Sequence, residues 1–250
     1  MAREIKIIEY GIIDSTNLQA RRLIEGAWGK EIQPTVLLAE GQTAGRGRLG
    51  KSFYSPTDTG LYTSLIIESP SSLDKLLSLT ALAAVAASEA IEAAFGINVG
   101  IKWVNDLYYN ERKIAGILAE SCISGTKRYI ILGIGINLST ERFPDDILLK
   151  AGSLGIADIT AKEKRELAID LFARLLDLLE CENTSRAMNI YRARSTVIGK
   201  RISFSRDGTE NTATALGVTD LGALTVRLDS GETLELASGE ISIFVQKEQI

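Results

Sequence analysis

Between Gln42 and Ser52 the chain carries Arg46, Arg48 and Lys51, three glycines and no acidic residue. Guanidinium forks match carboxylate and phosphate oxygens, and each charge-assisted bond contributes ~1.5–3 kcal/mol, so such a segment is suited to ordering itself over an anion. The same spacing also describes a solvated, mobile basic loop. Gly45-Arg46-Gly47-Arg48-Leu49-Gly50 matches G-x-G-x-x-G letter for letter. The dinucleotide fingerprint, however, needs a strand-to-helix turn, and no amphipathic helix follows Lys51.

Histidine is absent, which excludes Ser-His-Asp, Cys-His and His-ligated metal chemistry. Catalysis must then rest on Lys, Arg, carboxylates, backbone groups or a bound cation. Cys122 and Cys181 stand alone without CxxC spacing, so neither a disulfide framework nor a zinc site is expected, and a reducing, cytoplasmic setting is.

The elements that must position this loop can be read from periodicity. Ile5 to Tyr10 reads as a strand, and Asp14-Ser15-Thr16-Asn17 as the capped start of a helix. Thr35 to Ala39 and Leu61 to Ile67 read as strands, and Ser71 to Asp74 as a helix start leading into an alanine-rich stretch, Leu76 to Phe95. That stretch carries Ser78, Ser88, Glu89 and Glu92, which favours a core helix over a membrane span. Val99 to Trp103, Asp106 to Tyr109, Lys113 to Ser121 and Lys127 to Leu138 follow as strands, the last three joined by turns short enough for hairpins. A helix is expected over Lys162 to Glu180, with apolar positions at Leu167, Phe172, Leu175, Leu176 and Leu179, and another near Ala187 to Arg192. From Ile198 to Val245, short β-rich pieces punctuated by Asp207-Gly208, Leu221-Gly222, Ser230-Gly231 and Ser238-Gly239 suggest a small β-barrel. The expected architecture is α+β: a mixed or antiparallel sheet packed with helices over 1–195, then a barrel over 196–250.

Composition fits this. The chain has 250 residues, 45% apolar and 24% charged, with a net charge of −4. Those values suit a soluble globular protein and argue against one devoted to nucleic acid. The charged, alternating N-terminus resembles neither signal peptide nor membrane anchor.

An ordered set of motifs then resembles the biotin protein ligases: Asp14-Ser-Thr-Asn17, Gln42 to Gly50, Lys102-Trp-Val-Asn-Asp106, Arg112-Lys-Ile-Ala-Gly-Ile-Leu118, Gly133-Ile-Gly-Ile-Asn137 and Gly239-Glu-Ile-Ser242. The resemblance implies a class II synthetase-like catalytic domain, an SH3-like barrel, and a two-step reaction: biotin and ATP give biotinyl-5′-AMP and pyrophosphate, and a lysine of a biotin carboxyl carrier protein then takes the biotinyl group. It implies biotin contacts from Ser15, Thr16, Asn17, Gln42, Gly45, Arg46, Lys113, Gly116, Gly133 and Gly135. For ATP and the adenylate it implies Arg46, Gly47, Arg48, Lys51, Phe53, Tyr54, Lys102, Trp103, Asn105 and Asn137. The catalytic set is Lys113, Arg48, Asn105 and Asp106, with Asp106 holding Mg2+. Read alone, Lys113 is equally a turn lysine beside Arg112, Trp103 a core residue, the glycines β-bulges or tight-packing positions, and Cys122 a buried apolar residue.

Homodimerisation through the central domain is implied, with no DNA or membrane partner. No helix-turn-helix is expected before Ile5. Val104 stands where the family usually has proline, and Ile243-Phe244 where some members carry a nucleotide-contacting arginine, which leaves the barrel's part in ATP binding open. The competing readings are a lipoyl or octanoyl transferase with Cys122 as nucleophile, a lipoate ligase, and a non-catalytic binder of biotin or nucleotide. The cations of the loop are expected to be unpaired and the loop mobile without ligand.

Overall fold

The computed structural model describes residues 5–27, 32–69, 76–181, 184–206 and 208–244. The helix start expected at Ser71 to Asp74, the Asp207 half of one turn, and Val245 lie outside these residues. Strands β1 (Lys6–Ile13), β2 (Thr35–Gln42), β3 (Gly60–Glu68), β4 (Gly100–Lys102), β5 (Asp106–Tyr109), β6 (Arg112–Ser124) and β7 (Lys127–Asn137) form one sheet in the order β1-β2-β3-β7-β6-β5-β4. β1 pairs with β2 in parallel, and every other neighbour is antiparallel. The sheet is therefore mixed. The one parallel pair follows from α1 (Thr16–Gly26), which supplies the crossover that parallel strands need.

Alternation along the strands sorts the core into two layers. Val36, Leu38, Leu65, Leu132 and Ile134 face α2 (Leu76–Phe95) and α3 (Ala161–Glu180) in the larger cluster, and α4 (Ser185–Ala193) packs on α2 within the same cluster. Leu37, Ile66, Tyr129 and Ile131 point the other way, against Ala20 and Ile24 of α1. α2 is long and apolar enough to cross a membrane by length and composition, with 67% of its most apolar window buried within the protein. α3 starts with a reciprocal cap: Thr160 Oγ1 accepts from the Glu163 N–H while the Glu163 carboxylate accepts from the Thr160 N–H. Its expected inward stripe holds at Leu167, Phe172, Leu175 and Leu176, whereas Leu179 is exposed and the neighbouring Leu178 packs on the core in its place.

The expected side-chain cap on α1 is absent. Ser15 is the N-cap residue by position, yet its hydroxyl makes no capping bond; Gln42 Oε1, arriving from the end of β2, accepts from the Thr16 N–H at 2.8 Å.

A second sheet holds β8 (Arg201–Arg206), β9 (Thr209–Val218), β10 (Leu224–Leu228), β11 (Thr233–Leu236) and β12 (Ile241–Ile243), antiparallel in the order β11-β10-β9-β8-β12. It docks on the first. Gly222 O accepts from the buried Trp103 Nε1 at 2.8 Å, and Arg192 Nη1 donates to Val218 O at 2.8 Å.

Candidate active site

The α1-facing side of β7 runs Tyr129, Ile131, Gly133, Gly135, Asn137: bulky where it packs on α1, bare where it passes the N-terminus of that helix. On β6 the same side runs Cys122, Glu120, Leu118, Gly116. The bare stretch opens a cavity of about 510 Å3 lined by every sequence-expected site residue except Gly45. Gly45 lies where the loop crosses itself: the Phe53 N–H donates to Gly45 O at 2.8 Å, and a Cβ at Gly45 would lie 2.3 Å from Phe53 O.

Ser15, Thr16 and Asn17 are buried at the start of α1. Ser64 Oγ lies 2.7 Å from Thr16 Oγ1 and 2.6 Å from Asn17 Oδ1, and Thr16 Oγ1 lies 3.2 Å from Gln42 Oε1. These four oxygens share only two hydroxyl protons and the Thr16 N–H, so lone pairs are left over for N–H donors. Gln42 Nε2 donates to Ser55 Oγ at 2.9 Å, which fixes its amide direction.

The loop's cations all have partners, contrary to the expectation that they are free. Arg46 pairs with Glu120 at 3.3 Å, Arg48 Nη1 donates to Asn105 Oδ1 at 2.9 Å, and Lys51 pairs with Glu240 at 2.6 Å. These partners, two carboxylates and one amide, lie far along the chain from the loop. Lys51 holds the Glu240 carboxyl below the usual carboxylate range. Gly47 N donates to Lys51 O at 2.7 Å, closing a tight turn whose tip, Leu49, adopts φ 53° and is exposed.

Lys113 lies 2.7 Å from Asp106. Its main chain is gripped by 147–152: the Lys113 N–H donates to Lys150 O at 2.8 Å and the Gly152 N–H to Lys113 O at 2.9 Å. Asn105 Nδ2 donates to Ile117 O at 3.0 Å, which leaves Oδ1 facing Arg48. Burial lowers the Lys102 pKa, with Asp106 opposing; its Nζ lies 5.4 Å from the Tyr108 ring centroid. Asn137 Nδ2 donates to Gly152 O at 2.9 Å while its buried Oδ1 has no partner. Phe53 lies across Gly135 and Gly116, where added Cβ atoms would meet its ring at 2.5 and 3.4 Å. Tyr54 lines the cavity beside Phe143, with ring centroids 6.2 Å apart.

Three of the expected groups are held by contacts the sequence does not show. Trp103 reaches the cavity only as a wall, because its indole N–H is spent on Gly222. The space over Gly133 holds Asn17, whose Oδ1 would lie 2.2 Å from a Cβ there, and that over Gly135 holds Phe53. Asp106 is engaged by Lys113, and among the described residues no group of three His, Cys, Asp or Glu could hold a metal. The donor set therefore does not fit a resident magnesium centre.

Thr63, Tyr108, Phe143, Asp146, Ile147 and Lys150 also line the cavity, and none of them lies within one of the sequence motifs. Residues 143–150 carry no motif and little periodicity. Gly239, Glu240, Ile241 and Ser242 line it too, so the barrel does reach the site.

Residues 13–137 match the biotin/lipoate A/B protein ligase family, and residues 197–243 match the biotin protein ligase C terminal domain. A bifunctional ligase/repressor BirA from Bacillus spizizenii is 40% identical over 154 residues, covering 60% of this chain and 46% of that protein. The chain thus spans about half the length of that relative. A biotin–[acetyl-CoA-carboxylase] ligase from Mycobacterium tuberculosis is 31% identical, covering 91% of this chain and 85% of that one. Among solved structures, a biotin protein ligase from Aquifex aeolicus in complex with biotin and ATP superposes with a TM-score of 0.77 at 29% identity, covering 96% of this chain and 98% of that one.

Proposed function

The chain belongs to the biotin/lipoate A/B protein ligase family, and from that premise we propose that it is an ATP-dependent biotin protein ligase. A biotin carboxylate oxygen attacks the α-phosphorus of ATP, the bond to the β-phosphate bridge breaks, and pyrophosphate leaves. The amine of an acceptor lysine on a biotin carboxyl carrier domain then attacks the acyl carbon and AMP leaves.

The observation that carries this reading is the proton-poor cluster of Thr16, Asn17, Gln42 and Ser64. It suits the two N–H donors of a cyclic urea, and Ser15 keeps a hydroxyl free of capping for the urea carbonyl. A lipoyl ring or an octanoyl chain offers no such donors, and Cys122 lies in the α1 core cluster with burial raising its thiol pKa. Both points favour biotin over the lipoyl alternatives.

Lys113 and Arg48 offset the repulsion between the biotin carboxylate and the α-phosphate, so these anions can meet at bonding distance. Lys102, Lys51 and Arg46 cover the remaining phosphates. The unpartnered Asn137 Oδ1 suits the adenine amine, and Phe53 with Tyr54 walls the base. Asn105 and Asp106 orient the incoming lysine. Closure of the loop keeps water from the anhydride. Magnesium enters as Mg-ATP. The same reading carries a cytoplasmic homodimer, and a catalytic unit over 1–195 with a barrel over 196–250.

Transfer of labelled biotin to a carrier domain, together with biotin-dependent pyrophosphate release in Mg-ATP, tests the proposal. Turnover with lipoate or octanoate and none with biotin would reverse it.

A further inference from the structure

We infer that Glu120 is a positioning residue that sets the direction of the hydrogen-bond chain at the urea end of the cavity. The inference rests on the biotin reading and deepens it. Glu120 lies on β6 just beyond the cavity wall, with its side chain 15% exposed. Its two oxygens are divided between two tasks. Oε2 accepts from Asn17 Nδ2 at 2.8 Å, while Oε1 faces Arg46 at 3.3 Å and Arg21 at 3.8 Å.

A carboxylate between guanidinium groups only accepts. Asn17 must therefore show it the NH2 group and turn Oδ1 back to Ser64, as observed at 2.6 Å. With the amide reversed, an N–H would enter the Thr16, Gln42 and Ser64 cluster and supply the protons it lacks. The cluster would then compete with the ligand's own N–H donors rather than complement them. Gly133 makes the arrangement possible, since any side chain there would occupy the place of the Asn17 amide. Through Arg46 the same carboxylate also holds the first half of the loop against β6; in Glu120→Gln an oxygen at position 120 still faces Arg46 while the new NH2 faces Asn17, so the loop contact survives the change that reverses the amide.

Glu120→Gln keeps the shape and removes the acceptor-only rule. It should raise KM for biotin roughly ten- to a hundredfold in biotin-dependent pyrophosphate exchange while KM for ATP stays within about threefold. Adding Asn17→Asp restores the polarity from the other side, because the amide introduced by Glu120→Gln would then have to donate to a carboxylate whose second oxygen still accepts from Ser64. This pair should recover at least half of the loss on a logarithmic scale. Glu120→Asp, which accepts only, should lose less than the glutamine variant and keep its KM for biotin within about tenfold of wild type, a bound that tests the inference where Glu120→Gln does not fold. An unchanged biotin KM in Glu120→Gln, an equal rise for ATP, or no recovery in the pair would overturn the inference. Wild-type protein that shows no biotin-dependent exchange at all would instead overturn the proposed function.

Discussion

Gly133→Ala tests how tightly the urea end is built. The new Cβ would lie 2.2 Å from Asn17 Oδ1 and 2.9 Å from its Cγ. Asn17 must retreat by about 1 Å to reach ordinary van der Waals separation. It is 4% exposed and has no open space to enter without leaving its partners. Retreat breaks the bond to Glu120, of a charged kind that contributes ~1.5–3 kcal/mol, and weakens the one from Ser64, of a neutral kind that contributes ~0.5–1.5 kcal/mol. Residual overpacking of the strand adds about 1 kcal/mol. The expected loss of stability is therefore about 3–5 kcal/mol, a large share of the ~5–15 kcal/mol typical of a folded protein. Denaturant unfolding followed by circular dichroism reads it as a lower midpoint, accompanied by weaker biotin binding in calorimetry. Gly217→Ala is the control: an added Cβ there meets nothing within 4 Å, so its effect should stay within ~0.5 kcal/mol. A Gly133→Ala protein within ~1 kcal/mol of wild type that binds biotin normally would refute the reasoning, because Asn17 would then not be fixed in place.

Lys113→Ala should cut biotin-dependent pyrophosphate exchange by about 100-fold or more while biotin binding weakens only a few-fold, since its cation acts mainly as the two anions approach. Because burial lowers the Lys102 pKa, kcat/KM for ATP should fall on the alkaline side below the pH at which a free lysine titrates. Lys102→Arg, which stays charged, should remove that limb. The Glu240 carboxyl is held below its ordinary value chiefly by Lys51. The bridge should therefore be intact above the usual carboxylate range and lost as pH falls through the lowered value; amides 46–52 should then exchange faster once intrinsic rates are corrected, with Glu240→Gln already fast at neutral pH. Asn137→Leu should raise KM for ATP about tenfold and leave KM for biotin nearly unchanged, as substrate kinetics will show.

Much of the sheet was legible because its hairpins announce themselves. Asn110 and Glu111 adopt φ 48° and 62°, and Gly125 φ 63°, in the short turns that bound β5, β6 and β7. The parallel pairing of β1 with β2 was not legible, since period-two alternation is blind to strand direction. The site was legible wherever chemistry lay in a contiguous motif. It was not where the partner came from elsewhere: Lys51 meets Glu240 across 189 positions and Arg48 meets Asn105 across 57. Glu120 and Ser64 escaped for a related reason, since each reads as an ordinary polar residue in a strand until the tertiary structure sets Asn17 between them.

The seam between the two sheets has a practical consequence for dissecting the protein. Trp103 stands two residues before the Asn105 that faces Arg48, and its ring nitrogen finds its hydrogen bond on the barrel turn at Gly222. That turn also rests on Leu77 and Ala81 of α2. A truncated chain ending near Thr196 would strand a donor in apolar surroundings and bare part of a helix that is otherwise covered. The C-terminal fifth is thus a wall of the cavity, and mutants meant to probe that cavity should be made in the intact chain.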